Sequence, residues 1–286
     1  MRMRLFAKRL RNAKMSNVIL YVILTALAVF MALPLVYIFN HAFKPLHEMF
    51  LFPPTFLVQQ PTIGNFTQLF NSSTGDLVPF TRYLFNSVLI SIVTIASVIL
   101  VSSLAAYALA VKQFPFKALV MSLIMVSLMF APETVAIPRY LIVSGLGITD
   151  TYFAHILPFL ASPVAVFLLI QFMGQIPNEL IDAAKLDGAS EFGIFRKVVL
   201  PLAAPAVATI AIISFQGVWT DVEGSTLFVH DETMKTMAYY VTTLATGIAG
   251  QNISAAAGLL MFLPTFIIFL LFQRKVNETM VHSGVK

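Results

Sequence analysis

The stretch NELIDAAKLDGASEFGIFRKVVLP, Asn178 to Pro201, brings Glu179, Asp182, Lys185, Asp187, Glu191, Arg196 and Lys197 together in a chain that otherwise avoids charge. Carboxylates and cations mixed in this way suit ion pairing at a surface. They do not form a nucleophile with a base, and the stretch holds no histidine. Gly188 and Gly193 have the glycine spacing of a phosphate-binding loop, but Ile194 and Phe195 stand where that loop needs lysine and a hydroxyl residue. The segment therefore cannot cradle a nucleotide phosphate. His41, His47, His155, His230 and His282 show no metal-ligand spacing, and cysteine is absent, which excludes disulfides and thiolate sites. Glu133, beside Pro132 and Pro138, is read as a helix-end residue reaching the membrane interface, in preference to a functional acid at membrane depth.

The surroundings explain why such a segment is conspicuous. Of 286 residues, 58% are hydrophobic and 11% charged, against about 25% charged in soluble domains. Six apolar segments follow one another at about 18–39, 84–111, 118–138, 152–173, 202–220 and 253–272. Each is about the length a helix needs to cross a hydrocarbon core of ~30 Å. The fold class expected is all-α, a polytopic transmembrane bundle of six spans. The first segment exceeds the ~7–15 apolar residues of a signal peptide and is read as an uncleaved span. Thr236 to Gly250 is apolar but short, and is expected to be a re-entrant or surface helix. Prolines 34, 158, 163 and 264 fall inside spans and predict kinks.

Basic residues set the orientation. With residues 1–17 inside, the inner segments hold six Lys and Arg near the N-terminus, then Lys112 and Lys117, then Lys185, Arg196 and Lys197, then Arg274, Lys275 and Lys286. The outer segments hold only Lys44, Arg82, Arg139 and Lys235. Cytoplasmic loops carry the excess of Lys and Arg, so both termini and the polar stretch are expected in the cytoplasm. The six basic residues at the start flank a membrane span, a reading that excludes nucleic acid as the partner and leaves the lipid membrane. The chain divides into a basic N-terminus at 1–17, a membrane domain at 18–273 that includes a cytoplasmic loop at 175–201, and a tail at 274–286.

Local signals shape the polar loop as two helices. Pro177 and Asn178 make a start, with asparagine expected as the cap and Glu179 and Asp182 near the positive helix end. Gly188 suits a left-handed stop. Ser190 is placed to cap a second helix, which Pro201 is expected to close. Ala183, Ala184 and Gly188 leave room for close approach by another surface. Leu180, Phe192, Phe195 and Val199 are the expected apolar anchors. On these features alone, a docking joint and an ordinary amphipathic connector both remain open.

IDAAKLDGASEFGIFRKVVLP resembles the EAA motif of permeases in ATP-binding-cassette (ABC) importers. Asp182-Ala183-Ala184 stand for Glu-Ala-Ala, Gly188 for the motif glycine, and Val198, Leu200 and Pro201 for its ending. HAFKPLHEMFLFPPTF, PTIGNF, FNSVLIS, SSLAAYALAVKQFPFK and FQRKVNETMVHSGVK extend the resemblance over nearly the whole chain, to the sugar-importer permeases similar to the second permease subunit of the maltose transporter. Trp219 to Gly224, WTDVEG, departs from that family's pattern, with Thr220 in place of asparagine.

The resemblance implies a permease subunit of a prokaryotic cell membrane, translocating a sugar such as an oligosaccharide. The implied partners are a homologous second permease subunit, two cytoplasmic ATPase subunits and an extracytoplasmic binding protein. It implies no catalysis by this chain and no cofactor of its own, with ATP and Mg held by the ATPases. It makes the polar loop a coupling helix, with Glu179, Asp182, Ala183, Ala184, Asp187, Gly188, Phe192, Phe195 and Pro201 at the ATPase interface. Asp182 would accept a salt bridge, the small residues would permit docking, and Phe192 or Phe195 would pack the joint. Substrate ligands stay unassigned among polar residues such as Asn86, Ser87, Tyr107 and Gln216. An ion-coupled transporter working alone would instead need buried acids near the membrane centre, and a non-transport scaffold or enzyme would need a catalytic constellation in the loops.

Overall fold

A computed structural model describes residues 15–71, 78–244 and 250–284, with side chains described for 17–71, 78–244 and 250–271. The basic cluster before residue 15 and the side chains of the tail lie outside that range. Among the described residues no strand occurs. The chain separates into two compact units, residues 1–69 with 247–259, and residues 70–246 with 260–286.

The first unit carries α1 (Met15–Ala42), the short α2 (Leu46–Met49) and α3 (Gly64–Asn71). The apolar run of α1 is long enough to cross a membrane, and its most hydrophobic window has no buried residue. An apolar helix left bare in this way suits contact with lipid. The loop after it is fixed by buried charge bound to backbone. Lys44 Nζ donates to the Thr55 carbonyl at 2.6 Å, and Glu48 accepts the N–H of Gln59 at 2.6 Å. Asn65 Nδ2 donates to the carbonyls of Ala42 at 2.8 Å and Lys44 at 2.9 Å.

The second unit is organised on α4 (Phe80–Val111), which packs chiefly against four later helices. Ser87, Ser91, Thr94, Val98 and Ser102 recur at intervals of three and four, and all are buried. The opposite face exposes Phe85, Ile92 and Leu100. Small side chains inside and large apolar ones outside suit a helix in lipid, where close backbone approach drives packing and outward apolar surface carries no penalty.

Beyond α4 come α5 (Lys117–Ser127), α6 (Ala136–Gly145), α7 (Tyr152–Leu160), α8 (Pro163–Met173), α9 (Asn178–Leu186), α10 (Glu191–Ile194), α11 (Leu200–Leu202), α12 (Ala204–Trp219), α13 (Met237–Leu244) and α14 (Gln251–Gly284). Among the described residues three helices could span a membrane singly: α1, α4 and the apolar part of α14. Three bent pairs bring the total up to the six expected from hydropathy. The third segment is not one continuous helix. It bends by 109° between α5 and α6, around a short tight turn at Pro132–Val135 that carries the exposed Glu133. The fourth bends by 43° where Pro163 interrupts it, and Ser162 caps the new helix by accepting the Ala165 N–H at 3.4 Å. Thr236–Gly250 contains only the eight-residue α13 among described residues, too short to span, with Met237, Ala238 and Tyr240 buried.

Candidate functional site

The polar loop folds as the two expected helical pieces. Gly188 has φ +79°, the left-handed conformation a residue with a side chain resists. The Ala189 N–H returns to the Ala184 carbonyl and the Gly188 N–H to the Lys185 carbonyl, each at 3.0 Å. This paired closure satisfies the last carbonyls of α9. Ser190 then caps α10, its Oγ accepting the Gly193 N–H at 3.2 Å.

Three local expectations are corrected. Asn178 is the first helical residue and not the cap. Pro177, extended at ψ 133°, holds the boundary without a side-chain acceptor, and its carbonyl takes the Leu180 N–H at 3.2 Å. Leu180 points outward and is exposed, while Ile181 is the buried anchor of α9. Pro201 does not close the second helix. The helix continues through Leu202, and the 78° break before α12 falls at Ala203. Proline in a first turn needs no donor of its own, so it fits inside the newly begun turn of α11.

Between α10 and α11 the backbone widens into a π-type turn over Phe195–Val199. A five-residue turn brings Phe195 and Val199 to one side of the helix, with Ile194 adjoining them. All three are buried, in a cluster with Val98, Ala106 and Tyr107 of α4, Leu169 and Met173 of α8 and Ile210 of α12. Phe195 packs on Tyr107 with ring centroids 5.5 Å apart. One core thus joins the loop to three membrane helices.

Opposite that core lies the free face. Glu179, Asp182, Ala183, Asp187, Gly188, Phe192 and Pro201 are exposed, and Ala184 is half-buried. Leu186 is 89% exposed and Phe192 61%. Leu186 escaped the sequence reading because its helical register puts it beside the polar residues, away from Ile181. Asp182 is paired within its own helix, with Lys185 Nζ at 3.2 Å. Phe195, buried in the chain's own core, packs the joint from inside.

A second connection was invisible in the sequence. Glu191, the first residue of α10, ion-pairs with Lys112 just past the end of α4 and accepts from the Tyr107 hydroxyl at 2.9 Å. Lys112 Nζ also lies 5.7 Å from the Tyr107 ring centre.

At the other end of α4 the polar residues are engaged in structure. Asn86, fully buried, donates to the carbonyls of Thr233 at 2.8 Å and Lys235 at 2.9 Å, and accepts from the Tyr152 hydroxyl at 2.8 Å. Ser87 Oγ accepts the Met237 N–H at 2.8 Å. Of the unassigned polar residues, Gln216 is the exposed one. In the departing segment, Trp219 is buried and donates to the Met261 carbonyl at 2.8 Å, and Thr220 turns back to the Gln216 carbonyl at 2.8 Å.

Known proteins resemble this chain in sequence and in fold. The chain is 32% identical over 260 residues to the arabinooligosaccharides transport system permease protein AraQ of Halalkalibacterium halodurans, covering 88% of this chain and 90% of that protein. It is 31% identical over 266 residues to the trehalose transport system permease protein SugB of Mycobacterium tuberculosis, covering 89% and 92%. The fold is similar to a chain in the crystal structure of a bacterial ABC transporter involved in the import of the acidic polysaccharide alginate, with a TM-score of 0.77 at 19% identity, covering 90% of this chain and 95% of that one. Residues 99–282, which include the whole polar loop and all of its core except Val98, match the family described as the binding-protein-dependent transport system inner membrane component, and the chain belongs to that family.

Proposed function

We propose that this permease subunit translocates a sugar, an oligosaccharide or a related glycoside, released to it by an extracytoplasmic binding protein. Two cytoplasmic ATPase subunits drive it, and a homologous second permease subunit completes the pathway. The chain performs no covalent chemistry, and ATP and Mg are bound by the ATPases. Both termini and the loop 175–201 face the cytoplasm, as the distribution of Lys and Arg supports.

The observation that carries the reading is the two-sided loop. One side exposes Leu186, Phe192 and a row of carboxylates, and the other is fused to α4, α8 and α12 through Ile181, Ile194, Phe195 and Val199. A force applied to the exposed side moves the membrane helices as a unit, because a packed core transmits displacement with little compression. In this mechanism Asp182 exchanges its partner Lys185 for a basic residue of the ATPase. Ala183, Ala184 and Gly188 let that surface approach, while Glu179, Asp187 and Pro201 border the contact. Relatives that carry arabinooligosaccharides and trehalose support the sugar class.

The test is reconstitution of the four-subunit assembly in vesicles with its binding protein. Gly188→Val is expected to insert and assemble but to lose sugar uptake per ATP hydrolysed, since a β-branched residue resists a φ of +79°. Unchanged uptake and stimulated hydrolysis would refute the coupling role. Uptake by this chain alone, driven by an ion gradient without ATP, would refute the ABC reading.

A further inference from the structure

His155 on α7 is 2% exposed, yet neither ring nitrogen has a hydrogen-bond partner. The Met234 backbone lies against the ring without an aligned bond to either nitrogen. Burying both polar atoms of an imidazole unpaired is costly, because each loses its hydrogen bond to water and gains none, so the site calls for a partner. Beside the ring lies a cavity of about 10 Å³ whose polar border is Arg139, His155, Asp221 and Glu223, with Gly224 and four apolar residues of α7 and the turn at Phe228 closing the rest. That is about the volume that seats the centre of one water, ~10–15 Å³, and far too small for a sugar ring.

The lining fits a neutral ligand that both donates and accepts. Asp221 Oδ2 takes the Gly224 N–H at 3.0 Å and has acceptor capacity left. Arg139 pairs with Glu223 at 3.3 Å, which places a guanidinium at the rim and disfavours a bound cation. Gly224 keeps the approach open. A Cβ there would fall 2.6 Å from Asp221 Oδ2 and 2.8 Å from His155 Nδ1, too close to either atom. The same measurement brings the Asp221 carboxylate and the His155 imidazole to one small space.

We infer that this cavity is a binding site for one ordered water, which bridges the His155 imidazole to the Asp221 carboxylate and so fastens the turn at residues 221–224 to α7. The water donates to Asp221, and a second hydrogen bond meets the ring nitrogen facing the cavity. His155 is a positioning residue here, acting on the turn through the water.

The experiment is a structure of the assembled transporter at a resolution where buried waters are visible, for the native chain and for Gly224→Ala, His155→Gln and His155→Phe. A single peak within hydrogen-bond distance of His155 and Asp221 is expected in the native chain. It should persist in His155→Gln and vanish in His155→Phe, with thermal stability falling in the phenylalanine variant and recovering in the glutamine one. Loss of the peak in Gly224→Ala supports the site, and if that variant does not assemble the two His155 variants decide alone. An empty cavity, a direct His155–Asp221 hydrogen bond, a peak with the short distances of a metal ion, or a peak retained in His155→Phe would overturn the inference.

Discussion

The Tyr107 hydroxyl donates to Glu191 Oε2 at 2.9 Å, tying the end of α4 to the first residue of α10 across 84 positions of sequence. Lys112 completes the contact from the other carboxylate oxygen. The polar loop is therefore held to α4 twice, by a hydrogen-bonded ion pair at its rim and by the Phe195 core beneath it.

That rim contact gives the first prediction. Tyr107→Phe and Glu191→Gln are each expected to leave thermal unfolding nearly unchanged, because the Lys112–Glu191 pair is partly solvated. Sugar uptake per ATP hydrolysed should fall several-fold in both. The double variant should be no worse than either single one, as groups sharing one network couple non-additively. Additive losses in a double-mutant cycle would place Tyr107 and Glu191 in separate roles.

The core beneath is expected to matter more for folding. Phe195→Ala removes a ring that is 4% exposed and packed on Tyr107. Phenylalanine-to-alanine changes in cores cost about 3–5 kcal/mol. Phe192→Ala removes a mostly exposed ring that touches Phe195 only at 6.0 Å between centroids, and should lower thermal unfolding far less while weakening retention of the ATPase during purification. Equal losses of stability in the two variants would contradict the two-sided loop.

Asn86 is predicted to be the main polar fastener at the opposite end of α4. Asn86→Ala abandons the carbonyls of Thr233 and Lys235 and the hydroxyl of Tyr152 together. The cost expected is on the order of 2–4 kcal/mol, read as a lowered unfolding midpoint of the detergent-solubilised assembly. Arg82→Gln, which leaves the Asn86 contacts in place, should be milder.

Asp221 supplies a pH prediction. It lies just beyond α12, and burial pushes its carboxyl up to about 6, with Glu223 adding to the rise. The folded state then holds the proton more tightly than the unfolded one. Its contribution to stability is fully present in acid and is lost as pH rises through about 6. Asp221→Asn should therefore raise the free energy of unfolding at pH ~7.5, by on the order of 1–3 kcal/mol, and make little difference near pH ~4. A gain that is the same at both pH values would dismiss the titration of Asp221 as its cause.

How much of this was legible depends on how local each signal is. Gly188 and Ser190 act within a few residues, and both do in the fold what their types predict. The apolar segments also emerge where hydropathy places them, because the length of an apolar helix is a property of consecutive residues. The cap at Asn178, the anchor at Leu180 and the stop at Pro201 failed for one shared reason. Each depends on which way a turn faces, and Pro177, the π-type turn at 195–199 and the break at Ala203 together set that direction.

The sequence by itself determined that this is a membrane chain of apolar helices interrupted by one charged loop. Charge density, helix length and residue type are additive along the chain, so they can be read without coordinates. Only the tertiary structure decided that Tyr107 and Lys112 meet Glu191, that Phe195 is buried while Leu186 and Phe192 are exposed, and that His155, Asp221 and Gly224 border one small cavity. Those pairings join residues tens of positions apart, and it is the packing of α4 against α7, α8 and α12 that brings them within reach.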